Sequence, residues 1–133
     1  MSQENVEIVR STYEAYSKGD LAAALQALDP GVEWHQAENF IYADRSPYVG
    51  PTEMLQGLFS RFGAEWEGFT TVADELLDAG DKVVALGYYS GTYRKTGKSV
   101  RAQFAHIWTL RDGKVLKFEQ YTDTAQFAQA TSA

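Results

Sequence analysis

The sequence predicts an α+β fold in which three helices, N-terminal and central, pack on one face of a curved antiparallel sheet. Three observations carry that expectation. Apolar residues recur at helical spacing in three segments before residue 63. From Phe69 onward long alternating runs are punctuated by glycine turns, and the last ribbon, 101–124, is apolar or aromatic on both faces. A sheet with two apolar faces must be covered on both, by helices, by a second subunit or by a ligand.

In the first segment, 3–17, Val6, Val9, Tyr13 and Tyr16 fall at three- and four-residue spacing and line one helical face with a tyrosine-rich stripe. Ser2 supplies a cap and Glu4 an acidic first turn. Lys18-Gly19 ends the helix, because glycine takes the left-handed closing conformation without strain. Asp20 then starts a short helix through Leu21, Leu25 and Leu28, which Asp29-Pro30-Gly31 stops. Residues 32–36 read as a short strand. Residues 37–51 have no period and hold two prolines, a glycine and the aromatics Phe40, Tyr42 and Tyr48, a loop longer than most connections. Thr52-Glu53 opens the third helix, with Met54, Leu55, Leu58, Phe59 and Phe62 on its buried side, fading near Gly63.

Strands follow at 70–77 and 82–93, with turns at Ala79-Gly80-Asp81 and 95–98. The ribbon comes next, folded at Asp112-Gly113, two residues that tolerate the positive φ of a tight turn. Four long strands in this order make a meander, and 125–130 adds a last helical turn. With no internal repeat or linker, 1–133 reads as a single domain.

Composition removes several function classes. The net charge is −6 and no Lys/Arg cluster is present, which argues against nucleic acid as a partner. The absence of cysteine excludes disulfides, thiolate metal sites and a cysteine nucleophile. Two histidines without H-x-H or H-x-x-x-H spacing give no basis for a metal, and no cofactor is expected. No run reaches the roughly 18 to 20 apolar residues of a membrane span. The N-terminus is polar and acidic where a signal peptide is basic and then apolar, so a cytoplasmic protein is expected. Aromatics make up 14% of the chain, and that excess must sit in a core, an interface or an apolar pocket.

Four segments are similar in wording to one family: Y-S-K-G-D-L at the first helix end, V-E-W-H-Q, Y-V-G-P-T-E-M-L, and H-I-W-T-L-R-D-G-K-V-L-K-F-E-Q-Y-T-D. They resemble the SnoaL-like, ketosteroid-isomerase-related branch of the NTF2-like superfamily, over nearly the whole chain. The resemblance implies an NTF2-like cone, helices closing over the concave side of a curved sheet with a pocket between. It does not name an activity, because the superfamily hosts isomerases, polyketide cyclases, epoxide hydrolases, dehydratases and proteins without catalysis. Aligned on Gly19-Asp20, the isomerase tyrosine falls on Thr12 and the proton shuttle on Gln36; aligned on Gly113-Lys114, the protonated acid falls on Ala105. The aspartate of the cyclases and hydrolases falls on Gln120. A steroid isomerase is therefore disfavoured.

The register that puts Ala105 in the cone puts Gln103 and Ile107 there as well, and turns Phe104, His106 and Trp108 to the convex side, where a homodimer would cover them. His106 is still a catalytic candidate, since only histidine titrates near neutrality unperturbed; on that parity it is also a structural interface residue. Glu38, where a strand runs into the aromatic loop, is a candidate acid or base at a pocket rim. Asp123 is either a third ionisable candidate or a cap for the last helical turn. Tyr16, Trp34, Leu58, Phe62, Ile107 and Phe118 are the expected pocket wall. Gln36, Gln103 and Gln120 supply its polar groups, and Tyr42, Tyr48 and Trp66 a lid. The expected function is a SnoaL-like protein binding a small hydrophobic molecule, with proton transfer, cyclisation or hydration as its chemistry. The alternative is a non-catalytic binding or scaffolding homodimer.

Overall fold

The N-terminal stripe of tyrosines and valines folds as predicted into α1 (Ser2–Ser17), and Gly19 closes it at φ +75°. The computed structural model describes residues 2–133; the side chain of Ser2, and with it the expected cap, lies outside the described residues. Asp20 caps α2 (Leu21–Gln26), its carboxylate accepting from the Ala23 amide at 3.1 Å. The helix stops before Leu28, which instead begins β1 (Leu28–His35). Asp-Pro-Gly thus lies inside a strand. It does so as an irregularity, because pairing with β6 jumps from Leu28–Val115 to Glu33–Lys117.

The aromatic loop carries a short strand, β2 (Tyr48–Val49), after the 3₁₀ turn Ala43–Arg45. One helical run follows, made of α3 (Gly50–Met54), a π-helical turn (Leu55–Phe59) and α4 (Ser60–Glu65). A π turn carries one residue more than the α-helix and recurs at functional sites. Here Gly57 meets Tyr48, and a Cβ at Gly57 would approach the ring to 2.9 Å.

The long strands are β3 (Trp66–Ala79), β4 (Lys82–Tyr93), β5 (Ser99–Arg111) and β6 (Lys114–Thr122), followed by α5 (Thr124–Thr131). The sheet order is β2-β1-β6-β5-β4-β3, antiparallel except where β1 lies parallel to β6. The meander is as expected, and β1 extends it on the far side. Bulges bend β3 between Glu67 and Thr70 and between Ala73 and Glu75. Opposite the second, Gly87 has no side chain because the Val72 carbonyl oxygen would lie 1.8 Å from its Cβ. That close approach lets the sheet curl into a cone. The helices lie against the concave side, and Phe127 of α5 closes one end against Phe40, Trp66 and Tyr89.

The ribbon corrects one expectation. At the turn, Asp112 (φ 52°) and Gly113 (φ 77°) join Arg111 to Lys114, and Leu110 pairs with Val115. Thr109 then pairs with Lys117, so Leu116 is an extra residue on β6. Beyond this bulge Gln120 faces His106, where an unbroken ribbon would place Ala105. Since side chains alternate, the slip of one residue inverts the assignment of β5 relative to β6. Phe104, His106 and Trp108 lie inside the cone, at 4%, 2% and 2% exposure. Gln103, Ala105 and Ile107 lie on the convex face, and none of the three lines the cavity.

Candidate functional site

The cone encloses a cavity of about 70 Å³. A buried water needs roughly 10–15 Å³, so the space suits a handful of waters or a compact ligand. It falls short of the ~300 Å³ lower end of drug-sized sites. Tyr13 and Tyr16 of α1 form one wall, Met54, Leu58, Phe59 and Phe62 of the helical run another, and Trp34, Tyr89, His106, Trp108, Phe118 and Gln120 the sheet floor. Past Tyr16, Phe59, Phe62 and Phe69 lies an open groove of about 500 Å³.

Most of this lining is apolar and aromatic; Trp34 stacks on Phe118 with ring centroids 3.7 Å apart. Beside Thr12, Gln36 and Thr71, the polar part of the lining is a chain of hydrogen bonds centred on His106. Its Nδ1 lies 2.5 Å from the Tyr13 hydroxyl and its Nε2 lies 2.5 Å from the Tyr89 hydroxyl. Trp108 Nε1 donates to the Tyr13 oxygen at 3.0 Å, and Gln120 Nε2 donates to the Tyr89 oxygen at 2.9 Å. Gln120 in turn accepts from the Ala37 amide at 3.1 Å, which fixes its orientation. Stacking on Phe104 at 3.9 Å holds the imidazole plane.

Burial sets the charge of this chain. It drives His106 well below the ordinary histidine range and raises both phenols above theirs, because no charged form is well solvated in the cone. At neutral pH the relay is therefore uncharged, a neutral imidazole between two neutral phenols. Such an arrangement moves protons by tautomer exchange and donates hydrogen bonds to an oxygen. It makes a poor strong base.

The expected site residues divide by position. Tyr16, Trp34, Gln36, Leu58, Phe62, Phe118 and Gln120 line the cavity. His106 does too, on the concave side rather than the expected convex one. Glu38 lies in an exposed turn, beside an outer groove with His35 and Glu119, and does not reach the cavity. Asp123 is the N-cap residue of α5 and accepts from Gln126 Nε2 at 3.1 Å, outside the cone. Tyr42 and Tyr48 are buried core rather than lid. The Tyr42 hydroxyl donates to Glu65 and accepts from Trp66 Nε1 at 3.0 Å; the Tyr48 hydroxyl donates to the Tyr42 carbonyl at 2.7 Å and accepts from Arg61. Trp66 is core for the same reason, at 2% exposure. His35 bonds Glu33 at 3.0 Å on the outer side of β1.

Sequence reasoning missed Tyr89, and it weighed Tyr13 as able to reach a pocket from a rotated helix without counting it in the pocket wall. A signal existed: Val83, Ala85 and Gly87 share the parity of Tyr89 and are small, which leaves room for a large polar residue to reach across. Among the described residues no group of three or more His, Cys, Asp or Glu side chains could hold a metal, and no helix is long and apolar enough to cross a membrane.

Residues 9–118 match the SnoaL-like domain family. A comparison with curated proteins yields no match. Among solved structures, an NTF2-like protein from Burkholderia thailandensis is 41% identical, with a TM-score of 0.92 over 96% of this chain and 97% of its own. TerC, co-crystallised with polyporic acid, is 26% identical with a TM-score of 0.84, over 96% of this chain and 97% of its own. A candidate SnoaL-like polyketide cyclase from Jannaschia sp. CCS1 is 19% identical with a TM-score of 0.83, over 98% of this chain and 93% of its own, a likeness of fold alone. The α+β cone and the family match over most of the chain agree: this protein belongs to the SnoaL-like domain family of the NTF2-like fold.

Proposed function

We propose that this protein binds a small hydrophobic carbonyl compound inside the cone and promotes a proton transfer, cyclisation or hydration without a cofactor. The observation that supports it is the imidazole of His106 held at both nitrogens by cavity-lining phenols. A carbonyl oxygen beside that relay would be polarised by a neutral O–H donor in a water-poor site, where such a bond is worth more than in water. A neutral donor of this kind suits enolisation or addition, in which negative charge grows on oxygen. The co-crystallised TerC lends support to small-molecule binding by this fold.

The rival, a non-catalytic binding or scaffolding protein, is favoured by the small cavity and by the lack of a carboxylate among its described lining residues. Thermal shift against small ketones, enones and quinones, followed by NMR detection of deuterium exchange α to the carbonyl of each hit, separates the two. For the enzyme, exchange by the wild type should drop at least a hundredfold in His106→Gln and Tyr89→Phe and persist in Glu38→Gln and Asp123→Asn. Binding without exchange would leave the rival standing.

An isologous homodimer through the convex face completes this reading. Val72, Leu77 and Tyr121 are 52%, 42% and 52% exposed there, close to Leu86, Ala105 and Ile107. Apolar groups spread over one sheet face favour a covered surface. Light scattering should give twice the 14.8 kDa chain mass, and Tyr121→Lys with Val72→Lys should return it to the monomer mass. A monomeric wild type at micromolar concentration would remove the dimer. We also take the compartment to be the cytoplasm, in keeping with a chain that needs no disulfide.

A further inference from the structure

The protons around His106 do not balance. A neutral imidazole carries one N–H, and two tyrosines bring one O–H each. The two His–Tyr hydrogen bonds consume only two of these three protons. If Nδ1 carries the hydrogen, it donates to Tyr13 while Tyr89 donates to Nε2, and the Tyr13 O–H is left over. If Nε2 carries it, the Tyr89 O–H is left over. Both phenol oxygens already accept from other groups, Trp108 Nε1 and Gln120 Nε2, and neither has a further acceptor among the described residues. In either tautomer one phenolic donor is therefore unspent, and both phenols line the cavity.

An imbalance of the opposite sign lies across the same floor. Gln36 is 9% exposed and lines the cavity, and its Oε1 is buried without a partner. Its amide nitrogen makes no hydrogen bond to the described residues either; only its backbone N–H is engaged, by Ser46 Oγ at 2.9 Å. A buried carbonyl oxygen without a partner costs free energy and needs one. His106 pairs with Gln120, and the next strand over carries Gln36 two residues past the Trp34–Phe118 pair. The row across β5, β6 and the end of β1 thus runs from His106, the imidazole shared by the two phenols, through Gln120 to Gln36, with strands about 4.8 Å apart, and the spare phenolic donor of Tyr13 or Tyr89 lies at its His106 end.

We propose that the cavity recognises a compact hydroxy-carbonyl compound, whose carbonyl oxygen accepts the spare phenolic proton and whose hydroxyl engages Gln36. This rests on the proposed function and narrows its substrate class. A hydroxyl serves Gln36 in either amide orientation, donating to Oε1 or accepting from Nε2. A plain ketone leaves Gln36 unpaired, and a plain alcohol has one polar group for two sites. The cavity volume limits the recognised head to few heavy atoms, and any apolar remainder of a larger ligand would run past Phe59 and Phe62 into the outer groove.

The probes are 4-hydroxybutan-2-one, pentan-2-one and pentan-1-ol, six heavy atoms each. Binding is measured by ¹H–¹⁵N NMR titration of the full chain, with His106 side-chain ¹⁵N shifts recorded in parallel. The hydroxy-ketone should bind at least tenfold more tightly than either single-function probe. Gln36→Met, and Gln36→Leu as a second variant, should abolish the difference between the Kd of the hydroxy-ketone and that of pentan-2-one measured on the same variant. Binding should also shift the His106 ¹⁵N pair toward one tautomer. Equal affinity for the hydroxy-ketone and pentan-2-one, insensitive to Gln36, would overturn this inference and leave carbonyl binding intact. No binding by any probe would overturn both.

Discussion

Gly87→Ala is expected to cost about 3 kcal/mol or more of folding stability, at or beyond the upper end of ordinary overpacking. For a chain of this size that is a fall in Tm on the order of 10 °C, read by calorimetry or circular dichroism. The cause is backbone and not side chain: the new Cβ would sit 1.8 Å from the Val72 carbonyl oxygen and 2.8 Å from its carbon. A flexible neighbour could swing aside, but a carbonyl in a paired strand moves only if β3 moves with it. Because the bend at this point shapes the cone, the variant should also weaken any ligand binding. Gly63→Ala is the contrast. It lies in α4 with nothing within 4 Å of its Cβ, and should gain about 0.5–1 kcal/mol from helix propensity. If Gly87→Ala unfolds within about 1 kcal/mol of the wild type, the close approach is not what holds the bend.

Acid should destabilise the wild type through His106 before most carboxylates titrate. Burial lowers its folded-state pKa below 6.5, so below that pH the unfolded chain takes up a proton that the folded chain refuses. The contribution is present in full above pH 6.5 and is lost as pH falls toward the folded value, at a slope approaching about 1.4 kcal/mol per pH unit. Denaturant unfolding of wild type and His106→Gln at pH 7, 6 and 5 checks it. At pH 7 the variant should be less stable by about 1–3 kcal/mol, because two buried phenols lose their shared partner. The gap should then narrow as the pH drops. Parallel lines for the two proteins would mean that His106 is solvated, and the uncharged relay would go with it.

Much of the architecture could be read from the chain. Helical spacing in α1, the Gly19-Asp20 junction and the Asp112-Gly113 turn are local signals, set by backbone sterics within a few residues, and they appear where expected. The tyrosine stripe, Trp34, Gln36 and Gln120 were likewise legible as candidate pocket residues by parity and resemblance. Glu38 was expected at the pocket rim because the sequence shows a carboxylate near an apolar run but not the direction in which a turn sends it; of the two readings of Asp123, the structure has it at the N-cap position of α5. Tyr42 and Tyr48 looked like lid residues in a structureless loop. Arg61, Glu65 and Trp66 draw them into the core through hydrogen bonds that span 13 to 24 residues.

The sequence by itself determined the fold class, the order of the long elements, the family, and a glutamine in place of a carboxylate at cavity position 120; Ala105 lies outside the cavity, so the absence of a carboxylate there says nothing about an activity. The tertiary structure decided which histidine faces the cavity. One extra residue in β6, Leu116, offsets the ribbon by a single position, and in a strand a single position is the difference between outside and inside. No local propensity separates a bulged ribbon from a regular one. The choice is made by packing: with the bulge, Val115 and Phe118 are both buried and Phe118 meets Trp34, while His106 turns in to meet Tyr13, Tyr89 and Gln120, residues 14 to 93 positions away from it.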